Sequence, residues 1–202
     1  MLLFDAGTAS TTQNTTSLSY SHTVATNANR LAIFIVRVDD PTGDVVTGVT
    51  FDNPATRIDR IQSLNGEQIY AYYLFDPPQG TNNVVVARSP SGNISSSVAT
   101  FYGYKTAALD SSASSTNTAT SFGPATTVVA PNASLITSLY GTPTSAEGAL
   151  RIQGAAGYIY QSLGTVPPGS RTITFTGASQ LWGGITVSIA VDVSGNFFFN
   201  LV

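Results

Sequence analysis

The single histidine is the first residue to consider as a catalytic group. A serine hydrolase needs an imidazole that is held by a carboxylate and faces a hydroxyl, and His22 is the sole imidazole in the sequence. It alternates in phase with Leu18 and Tyr20, which places it on the apolar side of a predicted strand. The Gly-x-Ser-x-Gly nucleophile motif does not occur. We therefore interpret His22 as a core or edge histidine and predict no catalytic residue.

The carboxylates offer two further kinds of chemistry. A pair of them could hydrolyse a glycoside, but most of these residues stand in turn contexts, where an aspartate bonds its own backbone. The densest acidic cluster contains Asp39, Asp40 and Asp44. Calcium binds several carboxylate and carbonyl oxygens, so this cluster is a candidate calcium site. We favour an acidic turn there, and predict no metal and no cofactor.

Aromatic side chains could instead bind a ligand by stacking. Tyrosine and tryptophan combine an apolar ring with a polar group, which suits partly solvent-exposed surfaces such as sugar-binding sites. The candidate ligand-binding aromatics are Tyr73, Tyr102, Tyr104 and Trp182. Tyr70 and Tyr72 share one face of a predicted strand with Leu74, which favours core packing for them. Tyr73 and Phe75 lie on the other face, so this strand is expected to be covered on both sides.

The composition excludes several classes of function. Of the 202 residues, 9% are charged, against about 25% in an ordinary soluble domain. The chain has no cysteine, which rules out disulfides and thiol chemistry, and its eight Lys+Arg residues are too few for a nucleic-acid footprint. Its net charge of −3 disfavours anionic membranes. We predict neither a nucleic-acid nor a membrane partner.

These residues must be positioned by strands. Short β-branched and aromatic runs bounded by Gly, Pro, Asn and Asp recur along the chain, and helical periodicity is nearly absent. We predict an all-β fold with little or no helix. It would be an antiparallel β-sandwich, jelly-roll-like or immunoglobulin-like, forming a single domain over residues 1–202.

Three local patterns refine this prediction. Asn65-Gly66 predicts a hairpin between two strands. Residues 31–38 are apolar at nearly every position, so this strand should be covered on both faces, by a loop or a neighbouring subunit. The segment 111–119, SSASSTNTA, is read as a long surface loop or frayed edge strand, and we expect a Ser/Thr-rich loop near 110–125.

The C-terminal segment is strongly apolar. Exposed phenylalanines there would promote aggregation, so we expect an apolar strand over residues 196–202 that is buried. It could be buried within the fold or on a neighbouring copy by strand addition. The predicted assembly residues are Phe197, Phe198, Phe199, Leu201 and Val202.

The order of strands and turns resembles a known module. The blocks concerned are 30–38, VVTGVTF at 45–51, IYAYYLFDPPQGTNNVVV at 69–86 and VATFYGY at 98–104. Together they are similar to a β-sandwich module of tailed-phage virion proteins, over about residues 4–141. The resemblance implies a structural or adhesive virion component, such as a capsid decoration (cement), head-fibre or tail-fibre protein. It brings no catalytic positions with it.

We accordingly expect a non-enzymatic virion structural protein. It would bind the major capsid protein or another virion protein, and form a homo-oligomer, for example a trimer. The alternative is a carbohydrate- or receptor-binding adhesive module of a phage fibre. Because the N-terminal stretch lacks a basic region before its apolar residues, we expect synthesis in the host cytoplasm without a signal peptide, followed by incorporation into the virion.

Overall fold

A computed structural model of the protein describes residues 2–62 and 66–191. This part of the chain contains strands and turns and no helix, and its sheets pack face to face. The all-β prediction with antiparallel sheets in a sandwich is confirmed. The predicted assembly residues Phe197, Phe198, Phe199, Leu201 and Val202 lie outside the described residues.

The described residues form sixteen strands. They are β1 (Leu3–Ala9), β2 (Gln13–Val24), β3 (Arg30–Asp39), β4 (Val46–Phe51), β5 (Asn53–Pro54), β6 (Thr56–Gln62), β7 (Glu67–Phe75), β8 (Gly80–Tyr102), β9 (Tyr104–Phe122), β10 (Thr126–Val128), β11 (Ala133–Tyr140), β12 (Ser145–Ala146), β13 (Gly148–Gly154), β14 (Gly157–Ser162), β15 (Gly169–Arg171) and β16 (Phe175–Val191).

The strands form three packed layers rather than two. The first outer layer consists of β2, the first half of β8, and β4. The middle layer consists of β1, the second half of β8, β3, β7 and β6. The second outer layer consists of β9, β16, β11, β14 and β13. Strand β8 belongs to two layers, so the chain bends between its two halves.

Strand β3 explains why the layers hold together. Its odd-numbered residues 31, 33 and 35 pack into a core shared with the second outer layer. Its even-numbered residues 32, 34, 36 and 38 pack into a separate core shared with the first outer layer. The prediction that this strand is covered on both faces is confirmed. The cover is a further layer of the same chain, not a loop or a neighbouring subunit.

A third core lies on the far side of the second outer layer. Trp182 and Phe175 of β16 and Phe122 of β9 are buried there. The two-stranded ribbon of β10 and β15 covers this side, and contributes Val128 to the same core. Both faces of β16 are therefore buried.

Two local predictions have different outcomes. The hairpin around Asn65-Gly66 is confirmed, because β6 and β7 pair antiparallel on either side of it; Asn65 itself lies outside the described residues. The prediction of a Ser/Thr-rich loop near 110–125 is wrong over most of its length, and the alternative for 111–119, an edge strand, is the one observed. Residues 104–122 form β9, because β16 supplies a hydrogen-bonding partner along that segment, and only 123–125 are outside a strand.

Candidate functional site

The acidic cluster does not gather around one point. Asp40 accepts hydrogen bonds from the backbone and side chain of Thr42, at 2.9 and 2.5 Å, and these chiefly hold the pKa of Asp40 below its ordinary value. Its other oxygen pairs with Arg88 at 2.8 Å. Asp44 pairs with Arg57 at 2.6 Å, and Asp39 lies 3.4 Å from Arg37.

Each of these three carboxylates thus pairs with a different arginine. Among residues 2–62 and 66–191, no group of three or more His, Asp or Glu side chains could hold a metal ion. The arrangement is that of an acidic turn whose charges are paired.

His22 is a buried polar residue of the fold. Thr8 Oγ1 lies 2.8 Å from Nδ1, and Thr100 Oγ1 lies 3.1 Å from Nε2. The Thr100 hydroxyl donates a hydrogen bond to Asp5 at 3.1 Å, so its oxygen accepts one from Nε2–H of the ring. Nδ1 of the neutral ring then accepts a hydrogen bond from the Thr8 hydroxyl. Burial lowers the pKa of His22 to about 4, and the nearby charge of Asp5 opposes this only in part. The interpretation of His22 as a core histidine is confirmed.

The four predicted ligand-binding aromatics are separated by the fold. Trp182 is 0% exposed, stacks on Phe122 and donates its indole N–H to the Ala119 carbonyl at 2.8 Å. Tyr104 is buried and donates to Asp76 at 2.5 Å. Both are core residues and offer no stacking surface. Tyr73 is half-buried against Phe75, and Tyr102 is half-buried at the end of β8. The expectation that Tyr70 and Tyr72 are core residues is confirmed.

A cleft of about 380 Å³ opens at one end of the second outer layer. Tyr140, at the end of β11, and Tyr158 of β14 line it, together with Gln180 of β16. Arg37 reaches it from β3 in the middle layer. The volume is within the range of small-molecule sites.

Arg37 is the most constrained group in this cleft. Its guanidinium pairs with Glu67, donates to the Ala155 carbonyl at 3.2 Å, and lies 5.4 Å from the centre of the Tyr140 ring. Tyr140 is hydrogen-bonded to Glu67, and burial is the main cause that raises the pKa of Tyr140 to about 12. The phenol therefore keeps its proton at neutral pH. Arg37 and Tyr140 thus form a polar part of the cleft lining, and both contact Glu67.

The patterns in the sequence do not point to Arg37, Tyr140 or Gln180 as site residues. A signal was present for Arg37, because it is the one charged residue that interrupts the apolar run of β3. Tyr140 and Gln180 come from strands far apart in sequence, so their meeting depends on the pairing of β11 with β16, which local patterns do not specify.

Comparison with known proteins identifies no relative of this chain. No family model, no curated protein and no solved structure matches the chain. None of the described residues belongs to a helix long and apolar enough to cross a membrane.

Proposed function

We propose that this protein is a non-enzymatic structural component of a virion. It decorates the capsid, binds the major capsid protein or another virion protein, and contacts neighbouring copies of itself. The virion setting rests on the resemblance carried by residues 4–141. The role as a building block rests on how the molecule uses its charges and its strand edges.

The arginines carry this proposal, because all seven are used inside the molecule. Each donates to an acceptor of the same chain. The pairs are Arg30 with Pro77, Arg37 with Glu67, Arg57 with Asp44, Arg60 with Gln68, Arg88 with Asp40, Arg151 with Gln161 and Arg171 with Pro167. Three of the seven, Arg37, Arg57 and Arg88, also pair with a carboxylate. A chain in which 9% of the residues are charged steers a charged ligand weakly. Shape, apolar contact and neutral hydrogen bonds must then hold a partner.

Strand β9 supplies a surface of this kind. Over residues 111–121 it contains only serine, threonine, alanine and asparagine, and within the described part of the chain it pairs with β16 alone. Natural edge strands usually carry charges or proline that prevent pairing with another chain. This segment has neither, so it can accept a strand of a neighbouring copy.

Binding to capsids tests the proposal. Full-length protein is added to capsids of the encoding particle prepared without it, at about 50 mM and about 500 mM salt. Binding should saturate at a fixed number of copies per capsid, and affinity should change by less than about threefold between the two salt concentrations, since few exposed charges contribute. Absence of saturable binding, or a steep loss with salt, would contradict the proposal.

A pair of variants tests the contact between copies. Thr118→Lys with Thr120→Lys places two charges on exposed positions of β9, and should lower the mass of the assembled protein measured by light scattering. The matched control is Thr11→Lys with Thr12→Lys, exposed in the turn between β1 and β2. Equal masses for both variants and the unaltered chain would rule out β9 as the contact.

A further inference from the structure

Strand β9 has one side without a partner strand, and over part of its length that side is regular. Residues 111–119 pair with residues 180–188 of β16 without a register shift, and register shifts bound this stretch at both ends. The stretch contains no charged residue and no proline. It therefore lacks the bulges, charges and prolines that usually protect the edge of a sheet.

The hydrogen bonds of β16 show which backbone groups of β9 point outward. Val191 of β16 donates its N–H to the carbonyl of Asn132, next to β11, at 3.1 Å. Successive residues of a strand direct their N–H and C=O groups to opposite sides, and β11 pairs with β16 without a register shift. The odd-numbered residues of β16 therefore bond to β11, and its even-numbered residues bond to β9. The latter lie opposite residues 111, 113, 115, 117 and 119 of β9.

Four residues of β9 consequently direct their backbone groups away from β16. They are Ser112, Ser114, Thr116 and Thr118. Their N–H and C=O groups bond to no residue among 2–62 and 66–191, and Ser112, Thr116 and Thr118 are exposed. A row of unpaired backbone donors and acceptors is a template for another strand. The feature that binds is this row of backbone groups and not the small side chains.

We propose that this edge pairs antiparallel with the same edge of a second copy, around a two-fold axis at Ser115. This names the partner strand and the geometry of the contact between copies proposed above, and it rests on that contact. Ser112 then faces the partner's Thr118, and Ser114 faces the partner's Thr116. All four outward residues form hydrogen-bonded pairs, and the two second outer layers join into one continuous sheet.

The second copy fits this edge because the pairing is self-complementary. A two-fold contact brings the same surface together from both copies, and the axis at Ser115 uses every outward backbone group of residues 112–118. A register shifted by two residues would pair only three of the four outward residues with each other. The facing side chains are serine, threonine, alanine and asparagine, so no like charges meet across the strands.

The absence of cysteine makes the register directly measurable. Ser115→Cys places a single thiol at the proposed axis. Residues that face each other at a non-hydrogen-bonded position have Cα atoms about 4.5 Å apart, which a disulfide can span. Under mild oxidation this variant should form a disulfide-linked dimer, measured on a non-reducing gel.

Asn117→Cys is the matched control for Ser115→Cys. It lies two residues further along β9 on the same face, so in the proposed register the two Cα atoms are more than about 13 Å apart. A disulfide cannot span this distance. The control should therefore give at least tenfold less linked dimer than Ser115→Cys under the same oxidation.

A second pair of variants tests the backbone hydrogen bonds themselves. Thr116→Pro removes one outward N–H, whereas Thr116→Ala keeps it. Proline is tolerated on an edge strand where its nitrogen faces solvent, so the fold should be retained, as circular dichroism measures. Light scattering should give Thr116→Pro half the mass of Thr116→Ala. If Thr116→Pro loses the fold, the cysteine variants alone decide.

Two results would overturn the proposal: no excess of linked dimer in Ser115→Cys over Asn117→Cys, or equal masses of the two folded Thr116 variants. Both results are expected if a strand of a capsid protein occupies this edge instead. The experiments use the free full-length chain. They can therefore fail while saturable binding to capsids is retained, and loss of capsid binding would leave their results unchanged.

Discussion

His22 shows how this molecule accommodates a titratable group in a layer of hydroxyls. The ring is 2% exposed and uses both nitrogens for hydrogen bonds to threonine. Its neutral form suits this site, because the Thr100 hydroxyl donates its hydrogen bond to Asp5 and is left to accept one from the ring. A protonated ring would need Thr8 to turn from donor to acceptor, and would place a charge among buried groups.

This arrangement predicts a stability that depends on pH. The pKa of His22 is about 4 in the folded state against 6.5 in the unfolded chain, so the unfolded chain takes up the proton first. Stability is therefore fully present above pH 6.5 and falls between pH 6.5 and 4, by at most about 3 kcal/mol. Urea unfolding across this range measures it. His22→Gln should flatten the dependence above pH 4.5, and an unchanged slope in that variant would contradict the account.

Arg88 predicts a second effect at this scale. It is buried to 1% exposure and holds the bend of β8 by donating to the carbonyls of Pro90 and Asn93, at 2.9 and 2.8 Å, as well as to Asp40. Arg88→Met leaves these acceptors without a donor, and should cost about 3 kcal/mol of unfolding free energy.

Arg57 provides the matched control for Arg88. Its pair with Asp44 is as short, 2.6 Å, but both side chains are about 40% exposed. Arg57→Met should cost less than about 1 kcal/mol, because water replaces an exposed partner. Denaturant unfolding of the two variants measures the loss of unfolding free energy in each. Equal losses would show that burial is not what makes the Arg88 interaction strong.

At the scale of elements, sequence patterns identify the strands well, but they do not show which strands pair or pack against each other. The continuous apolar run of β3 predicts burial on both faces, and that is the observed result. What covers β3 depends on the bend inside β8. The sequence there, RSPSGN at 88–93, has the residues of a turn between two separate strands. Two long-range features link the halves: the side chain of Arg88 reaches across the bend, and β2 pairs with both halves.

For a related reason, the sequence leaves the segment 111–119 of β9 undecided between a loop and an edge strand. Serine, alanine and asparagine are weak strand formers, and the segment 111–119 reads as low complexity. Its register on β16 runs from Phe122 opposite Phe175 to Tyr104 opposite Val191. The apolar residues that pack this strand on the cores are Tyr104, Leu109 and Phe122. The Ser/Thr-rich part between Leu109 and Phe122 is held by backbone pairing and by the hydroxyls of Ser111 and Ser114. Long-range pairing has overridden local preference.

The C-terminal segment gives a prediction for an element outside the described residues. Deleting residues 194–202 removes Phe197, Phe198, Phe199, Leu201 and Val202. If these residues dock on a neighbouring copy, the shortened chain remains a folded monomer that no longer assembles. Light scattering measures the mass and circular dichroism measures the fold. Loss of the fold itself would identify the segment as an internal strand instead.

At the scale of the whole molecule, the low charge and the layered fold belong together. Three layers bury both faces of β3 and β16, so most charged groups that remain act as braces between layers, loops and turns. Arg37 joins the middle layer to the carbonyl of Ala155 in the second outer layer, and Asp110 of β9 accepts from the backbone of Val129 and Ala130 near the covering ribbon. The surface left to meet a partner carries few charges and is rich in hydroxyls.

The copy number in purified particles tests the structural role most directly. Quantitative mass spectrometry compares the amount of this chain with that of the major capsid protein in virions freed of soluble protein. We expect a fixed whole-number ratio that stays the same through high-salt washing, because packing and not charge retains the protein. Absence from the particles, or only a few copies per particle as a fibre tip would have, would contradict it.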